Sequence, residues 1–299
     1  MIDLHVHSTA SDGFYSPKQI FEMADKLELE AIALTDHDAV SGIDELKKCA
    51  KGSKLEIING AELSVYYPET DMEVIALDIP QKAMKEFLGF QKEELKRRLR
   101  ITELRLKILN EWGYDIKYEE VAFDEFGNER TQIRRPHFVD VLLKKGYIKT
   151  TEEAYKKIFV KNGGCYVENK PRDVKDVISF IKDNGAVAIL AHPVHTKKEG
   201  KELWDLFVEL KSYGLDGVEV FHSSHPKALR KKYFELIKEL KMITAGGSDF
   251  HGGTAHPENK LGTGKRNNLK IPYFVLKELV EGRGKKVSAK YYDEIARLI

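Results

Sequence analysis

Six of the ten histidines in this 299-residue chain, His5, His7, His37, His192, His222 and His251, fall at or just past the ends of short apolar runs, with carboxylates close by. In a strand, alternate side chains share a face, so the imidazoles of His5-Val6-His7 point the same way and can hold one metal ion. Asp12, in Ser11-Asp12-Gly13, either closes a plain Asp-Gly turn or adds a carboxylate to that pair. In Thr35-Asp36-His37-Asp38 two acids flank an imidazole, either as helix caps or as a ligand with a supporting carboxylate. Glu62 follows in Gly60-Ala61-Glu62, and His192 in Ala191-His192-Pro193. Asp249 and His251 stand two apart in Gly246-Gly247-Ser248-Asp249-Phe250-His251-Gly252, whose glycines permit close backbone approach to an ion. Buried imidazoles need partners, and folding gains nothing from gathering them at one edge. Imidazole and carboxylate donors without cysteine suit Mn, Fe or Zn rather than a structural thiolate site. Eight candidate ligands exceed what one ion needs, so two to three divalent ions are implied. Centres of that kind hydrolyse phosphate esters by activating water and neutralising phosphoryl oxygens.

The elements that must position these groups alternate. Met1 to Val6, Ala31 to Leu34, Leu55 to Ile58 and Val74 to Leu77 read as strands, separated at first by helical patterns opening at Ser16-Pro17 and Ser41. Strand and helix alternate again from Arg172, with strands at Ala186–Leu190, Gly217–Phe221 and Met242–Ala245, and helices at 272–281 and 288–298. Such alternation implies βα units, a mostly parallel sheet, and a site at the strands' C-terminal edge. The rhythm breaks after Pro80. A long charged helical pattern covers 81 to about 112, and others follow at 136–145 and 151–160. Residues 82–170 therefore read as an inserted helical lid, with 1–81 and 171–299 forming the barrel domain. From Lys82 to Arg172 there are 21 Lys/Arg against 15 Asp/Glu. That excess is either a solvated surface or a field that attracts an anionic substrate.

The whole chain balances 49 basic against 48 acidic residues, which speaks against a DNA-coating protein, and no stable DNA complex is expected. No apolar run is long enough for a membrane span, and the first residues lack a secretory pattern. Cys49 and Cys165 cannot build a disulfide framework, so a cytoplasmic location is expected.

The segments HVHSTASDG, TDHD, GAELS, LAHP and GGSDFHG, in this order, resemble those of the PHP (polymerase and histidinol phosphatase) family. Ile133 to His137, IRRPH, resembles the GRPH motif of that family's nucleotide phosphatase and ribonuclease branch, which also carries an insert of this size. The resemblance implies a distorted (β/α)7 barrel with three divalent ions. It implies that His5, His7, Glu62 and Asp249 hold the first ion, that Glu62 bridges to a second held by His192, and that Asp12, His37 and His251 hold the third. Arg135 would grip substrate phosphate. His222 and His225, in a VFHSSHP segment also similar to the family's, would contact substrate or cap the helix starting near Pro226. One departure stands out: Ile75 occupies the strand position where members of this branch carry a ligating histidine. The second ion would then have only Glu62 and His192, completed by water, Asp71, Glu73 or His195, and should bind weakly.

These readings converge on a metal-dependent phosphoesterase for small phosphorylated substrates, with a nucleoside monophosphate or 3′,5′-nucleotide bisphosphate favoured. Arg135 would steady the phosphate, and His222 would assist the leaving alcohol. A 5′-to-3′ exoribonuclease on short RNA is the alternative. A metal-poor binding protein that has lost turnover is a further one, and only Ile75 supports it. Histidinol phosphate is disfavoured by IRRPH and the insert.

Overall fold

The apolar runs pair side by side in chain order. In the computed structural model seven strands, β1 (Ile2–Val6), β2 (Ala31–Leu34), β3 (Glu56–Tyr67), β4 (Thr70–Leu77), β5 (Val187–Leu190), β6 (Gly217–His222) and β7 (Ile243–Gly247), form one sheet in that order. The structure describes residues 1–299 except 69, 125, 126, 128, 161–163, 166, 168, 169, 254–257, 283 and 284, and describes Asp71 by its backbone alone. β1 comes back against the segment that follows β7 through an isolated parallel bridge between Val6 and Phe250, so the sheet is a nearly closed α/β barrel. The closure needs Gly247, because a Cβ there would lie 2.3 Å from the Cβ of His5. The strands are mostly buried on both faces, as expected where helices cover the outside and side chains fill the inside.

One strand departs from the expected parallel run. β4 is antiparallel to both β3 and β5, with Glu62 opposite Ile75 and Ser64 opposite Glu73. Only Pro68 and Glu69 separate β3 from β4, whereas a parallel return needs a crossover of about a dozen residues. The N-terminal half of β4 therefore lies at the barrel end where the parallel strands finish.

The helices are α1 (Pro17–Lys26), α2 (Ile43–Cys49), α3 (Met84–Glu111), α4 (Tyr118–Ala122), α5 (Arg135–Lys144), α6 (Thr151–Lys157), α7 (Val174–Asp183), α8 (Gly200–Ser212), α9 (Lys227–Glu239), α10 (Phe274–Glu281) and α11 (Ala289–Ala296). Ser16 and Gln19 cap α1 reciprocally, with Pro17 at its first turn. Two buried apolar clusters result. The larger fills the barrel and the helices around it; Met84, Phe87 and Phe90 of α3 belong to it. The smaller joins Leu109 at the far end of α3 to Val121, Phe138, Leu142, Ala154 and Cys165. The 28-residue α3 thus reaches from one cluster to the other. Among the described residues no helix is long and apolar enough to cross a membrane.

Candidate metal centre

The two imidazoles of β1 aim at the same two carboxylates. His5 Nε2 lies 3.3 Å from Glu62 Oε2 and 3.5 Å from Asp249 Oδ1; for His7 Nε2 the distances are 3.4 and 3.2 Å. His192 Nε2 approaches the other oxygen of Glu62 at 2.8 Å, so this carboxylate stands between two groups of ligands. Asp12 Oδ1 lies 3.4 Å from His251 Nε2 and 3.7 Å from His37 Nε2. All eight expected ligands are therefore brought together at one end of the barrel. Asp249, His251 and Glu73 mark where the cluster opens to solvent.

Backbone geometry contributes. His192, with φ of 23°, and Asp249, with φ of 57°, adopt conformations that non-glycine residues rarely take. Each is fixed by its own amide: His192 N donates to Glu219 Oε2 at 2.9 Å, and Asp249 N donates to the His5 carbonyl at 2.9 Å. Strain held this way concentrates at functional sites.

The hydrogen bonding and electrostatics show what the cluster could hold. His5 Nε2, His7 Nε2, Asp12 Oδ1, Glu62 Oε2 and His222 Nε2 are buried without a hydrogen-bond partner. Buried polar atoms are almost always satisfied, so a convergent set of orphans fits divalent cations. Burial pushes His251 down, but Asp249 and Asp12 outweigh it and raise its pKa to about 10. Burial likewise opposes His192, yet the bond to Glu62 and the charges of Glu62 and Glu73 raise it to about 9. His7 falls to about 3, through burial and the charges of His251 and His37. Burial works against the charged carboxylates of Glu62 and Asp249 too, but neighbouring imidazoles hold both well below the usual range.

Several groups went unread in the sequence. Glu219 Oε1 accepts from or faces His5 Nδ1 at 3.0 Å, leaving Nε2 to point at the cluster. Asp3 accepts from the amides of Ser248 and Gly262, both at 2.7 Å, and ties β1 to the loop that carries Asp249. A carboxylate inside an otherwise apolar strand, as in GVEVF and IDLHV, was the available signal. The TDHD acids do not cap α2, whose cap residue is Gly42. Asp36 accepts from Ser8 N at 2.7 Å and Ser11 Oγ at 2.6 Å, and Asp38 accepts from Ser64 N at 2.8 Å and Arg98 at 2.7 Å.

The arginine of IRRPH that enters the cluster is Arg134. Its guanidinium lies 3.4 Å from Asp12, 3.7 Å from Asp38 and 3.7 Å from Glu73. Arg135 starts α5, is exposed, and stands over the Tyr155 ring at 5.9 Å. The cap explains the split: the extended Arg134 donates its amide to His137 Nδ1 at 3.0 Å, and the helix turns Arg135 away. His222 Nε2 lies 3.5 Å from Asp249 Oδ2. His225 is fully buried behind it, with Nδ1 3.1 Å from the Val220 carbonyl, and it neither caps α9 nor reaches the opening. Of the groups offered for the Ile75 position, Glu73 and His195 come to the cluster, while the Asp71 side chain lies outside the described residues.

A family model described as PHP domain matches residues 3–184. A 5′-3′ exoribonuclease of Haemophilus influenzae is 30% identical over 249 residues, which cover 83% of this chain and 89% of that protein. A 3′,5′-nucleoside bisphosphate phosphatase of Chromobacterium violaceum is 26% identical, covering 84% of this chain and 87% of its own. A solved structure from Bifidobacterium adolescentis, provisionally described as a metal-dependent phosphoesterase, superposes with a TM-score of 0.79 at 25% identity, covering 97% of each chain.

Proposed function

The chain belongs to the PHP domain family, and from that premise we propose that it is a metal-dependent phosphoesterase acting on phosphomonoesters of nucleotides, a nucleoside monophosphate or a 3′,5′-bisphosphate. The observation that carries this reading is the convergence of imidazole and carboxylate atoms, several of them buried without a partner, from β1, the loop after it, β3 and the loops after β2, β5 and β7. A protein that only kept the fold would have no use for them. His5, His7, Glu62 and Asp249 would hold one divalent ion. Glu62 and His192 would reach a second, and Asp12, His37 and His251 a third. Such ions, when bound, activate water as nucleophile and offset charge on the phosphoryl oxygens.

The chain's own groups do the rest. Arg134, held by Asp12, Asp38 and Glu73, presents a buried guanidinium to the phosphate, which suits its planar donors. Arg135, one residue on and exposed, meets the outer part of the substrate. His222 turns a free Nε2 towards the cluster beside Asp249, where a proton can pass to the leaving alcohol. Residues 82–170 act as a lid: α3 sends Arg98 to Asp38, and Gln132 donates to the His37 carbonyl. The two free thiols fit a cytoplasmic setting.

By name, one of the two relatives acts on RNA and the other on nucleoside 3′,5′-bisphosphates. Exonuclease action on short RNA is the second reading, favoured by the 30% identity to an exoribonuclease and by the basic lid. Incubation with Mn²⁺ and either a nucleoside 3′,5′-bisphosphate or a 5′-phosphorylated RNA pentamer separates them. The main reading expects release of one phosphate from the bisphosphate and an intact RNA backbone. A ladder of single-nucleotide products would replace it with the second.

A further inference from the structure

Resting on the phosphoesterase reading, we propose that one stripe of α3, formed by Arg98, Thr102 and Arg105, is an anion subsite that holds the second, unreacting phosphate of a nucleoside 3′,5′-bisphosphate. These residues are four and three apart in the helix, so their side chains leave from one face. All three turn inward: the Arg98 side chain is 12% exposed, Thr102 0% and Arg105 7%. Seven residues of helix rise about 10 Å. The stripe therefore leads from the rim, where Arg98 donates to Asp38 Oδ2 at 2.7 Å, to the second core at Phe138 and Phe159.

The stripe carries positive charge without matching negative charge. Arg98 shares Asp38 with Arg134. The Arg105 guanidinium lies 5.3 Å from the centre of the Phe138 ring and 5.7 Å from that of Phe159, and no carboxylate pairs with it among the described residues. Ring faces attract a cation but offer its fork of N–H donors no oxygen. Arg98 Nε, Thr102 Oγ1 and Arg105 Nε are all buried without a hydrogen-bond partner. Buried arginine is rarely left unpaired, and each unsatisfied donor costs free energy. Burial, with the charges of Arg135 and Arg98 adding to it, pushes the Arg105 pKa down to about 10. A phosphate group would relieve that repulsion and occupy the orphaned donors, because guanidinium forks match its oxygens. Arg134, beside Arg98 at the rim, serves the phosphate at the ions, so a ribose with two phosphates would be gripped at both.

The test compares two substrates by two readouts. One is kcat/KM in Mn²⁺ for a nucleoside 3′,5′-bisphosphate against the faster of its two monophosphates. The other is calorimetric affinity of chelator-stripped protein for the same pair. Arg105→Gln should lower the bisphosphate-to-monophosphate ratio about tenfold or more in both. Arg105→Lys, which keeps the charge, should recover part of that loss. Thr102→Val, which removes only the hydroxyl, should lower the ratio about threefold. Arg100→Gln, exposed on the same helix, should keep the wild-type ratio. Circular dichroism checks the fold, and Thr102→Val decides if Arg105→Gln does not fold. An unchanged ratio, or equal losses for both substrates, would overturn the subsite and leave the phosphoesterase reading standing. Wild type that releases phosphate from neither substrate would fail that reading instead, and the affinity ratio would still decide the subsite.

Discussion

The rim of the barrel and the helical region between α3 and α6 spend their charge differently. At the rim, acids and imidazoles are buried against one another, with orphaned atoms facing inward. In the helical region several charges form exposed pairs one turn apart, such as Glu152 with Lys156 and Glu153 with Lys157. Exposed pairs contribute little to stability, and a helical cover can carry them freely. The buried cluster is costly to assemble and is explained only by what it binds. The helical region keeps its own apolar core around Phe138 and sends in a few side chains, Arg98, Gln132 and Arg134. Buried charge is thus gathered at the rim, and the helical region reaches it through those three side chains.

The sharpest way to break this contrast is to remove a ligand. Asp249→Asn and His7→Ala should each lower kcat by on the order of 100-fold or more while circular dichroism stays near wild type. Wild-type turnover in either variant would mean that the cluster is not the reacting centre. The cover should respond more weakly and unevenly. Arg134→Ala removes a charged donor to phosphate worth about 1.5–3 kcal/mol, so kcat/KM should fall roughly 10- to 150-fold with metal content unchanged. Arg135→Ala should cost less, and the reverse order would return the phosphate grip to Arg135. Phe138→Ala, in the second core, should destabilise by about 3–5 kcal/mol in a denaturant titration, with ligand positions at the rim undisturbed. A loss of metal binding there would show that rim and cover do not behave separately.

Acidity provides a smaller, graded effect. In the ion-free protein His192 and His251 hold their protons up to about 9 and 10. Those protons must leave for a cation to bind, so Mn²⁺ affinity should rise from pH 6 towards pH 9. Affinity that is flat over that range would mean neither imidazole is a ligand.

Much of the rim was legible in the residues because strand periodicity does the placing. His5-Val6-His7 puts two imidazoles on one face, and both reach the same oxygens of Glu62 and Asp249. A mostly parallel sheet followed from the alternation of strands with helices. The direction of β4 did not, because strands read at Leu55–Ile58 and Val74–Leu77 leave fifteen residues between them, whereas β3 and β4 extend until two residues separate them. That direction decides which side chain of β4 faces the site, so the choice among Asp71, Glu73 and His195 stayed open. The choice between Arg134 and Arg135 was hidden for a local reason: one residue of difference in where a helix starts turns a side chain from inside to outside. Glu219 and Asp3 were overlooked as lone acids in apolar strands, because their partners, His5 and Ser248, come from distant segments.

The most direct test of the central claim is to count divalent ions per chain before and after exhaustive chelation while following phosphate release from a nucleoside 3′,5′-bisphosphate. The account predicts two to three ions in the loaded protein, no release after stripping, and recovery with Mn²⁺ but not Ca²⁺. Stripped protein that still released phosphate at the undiminished rate would contradict it.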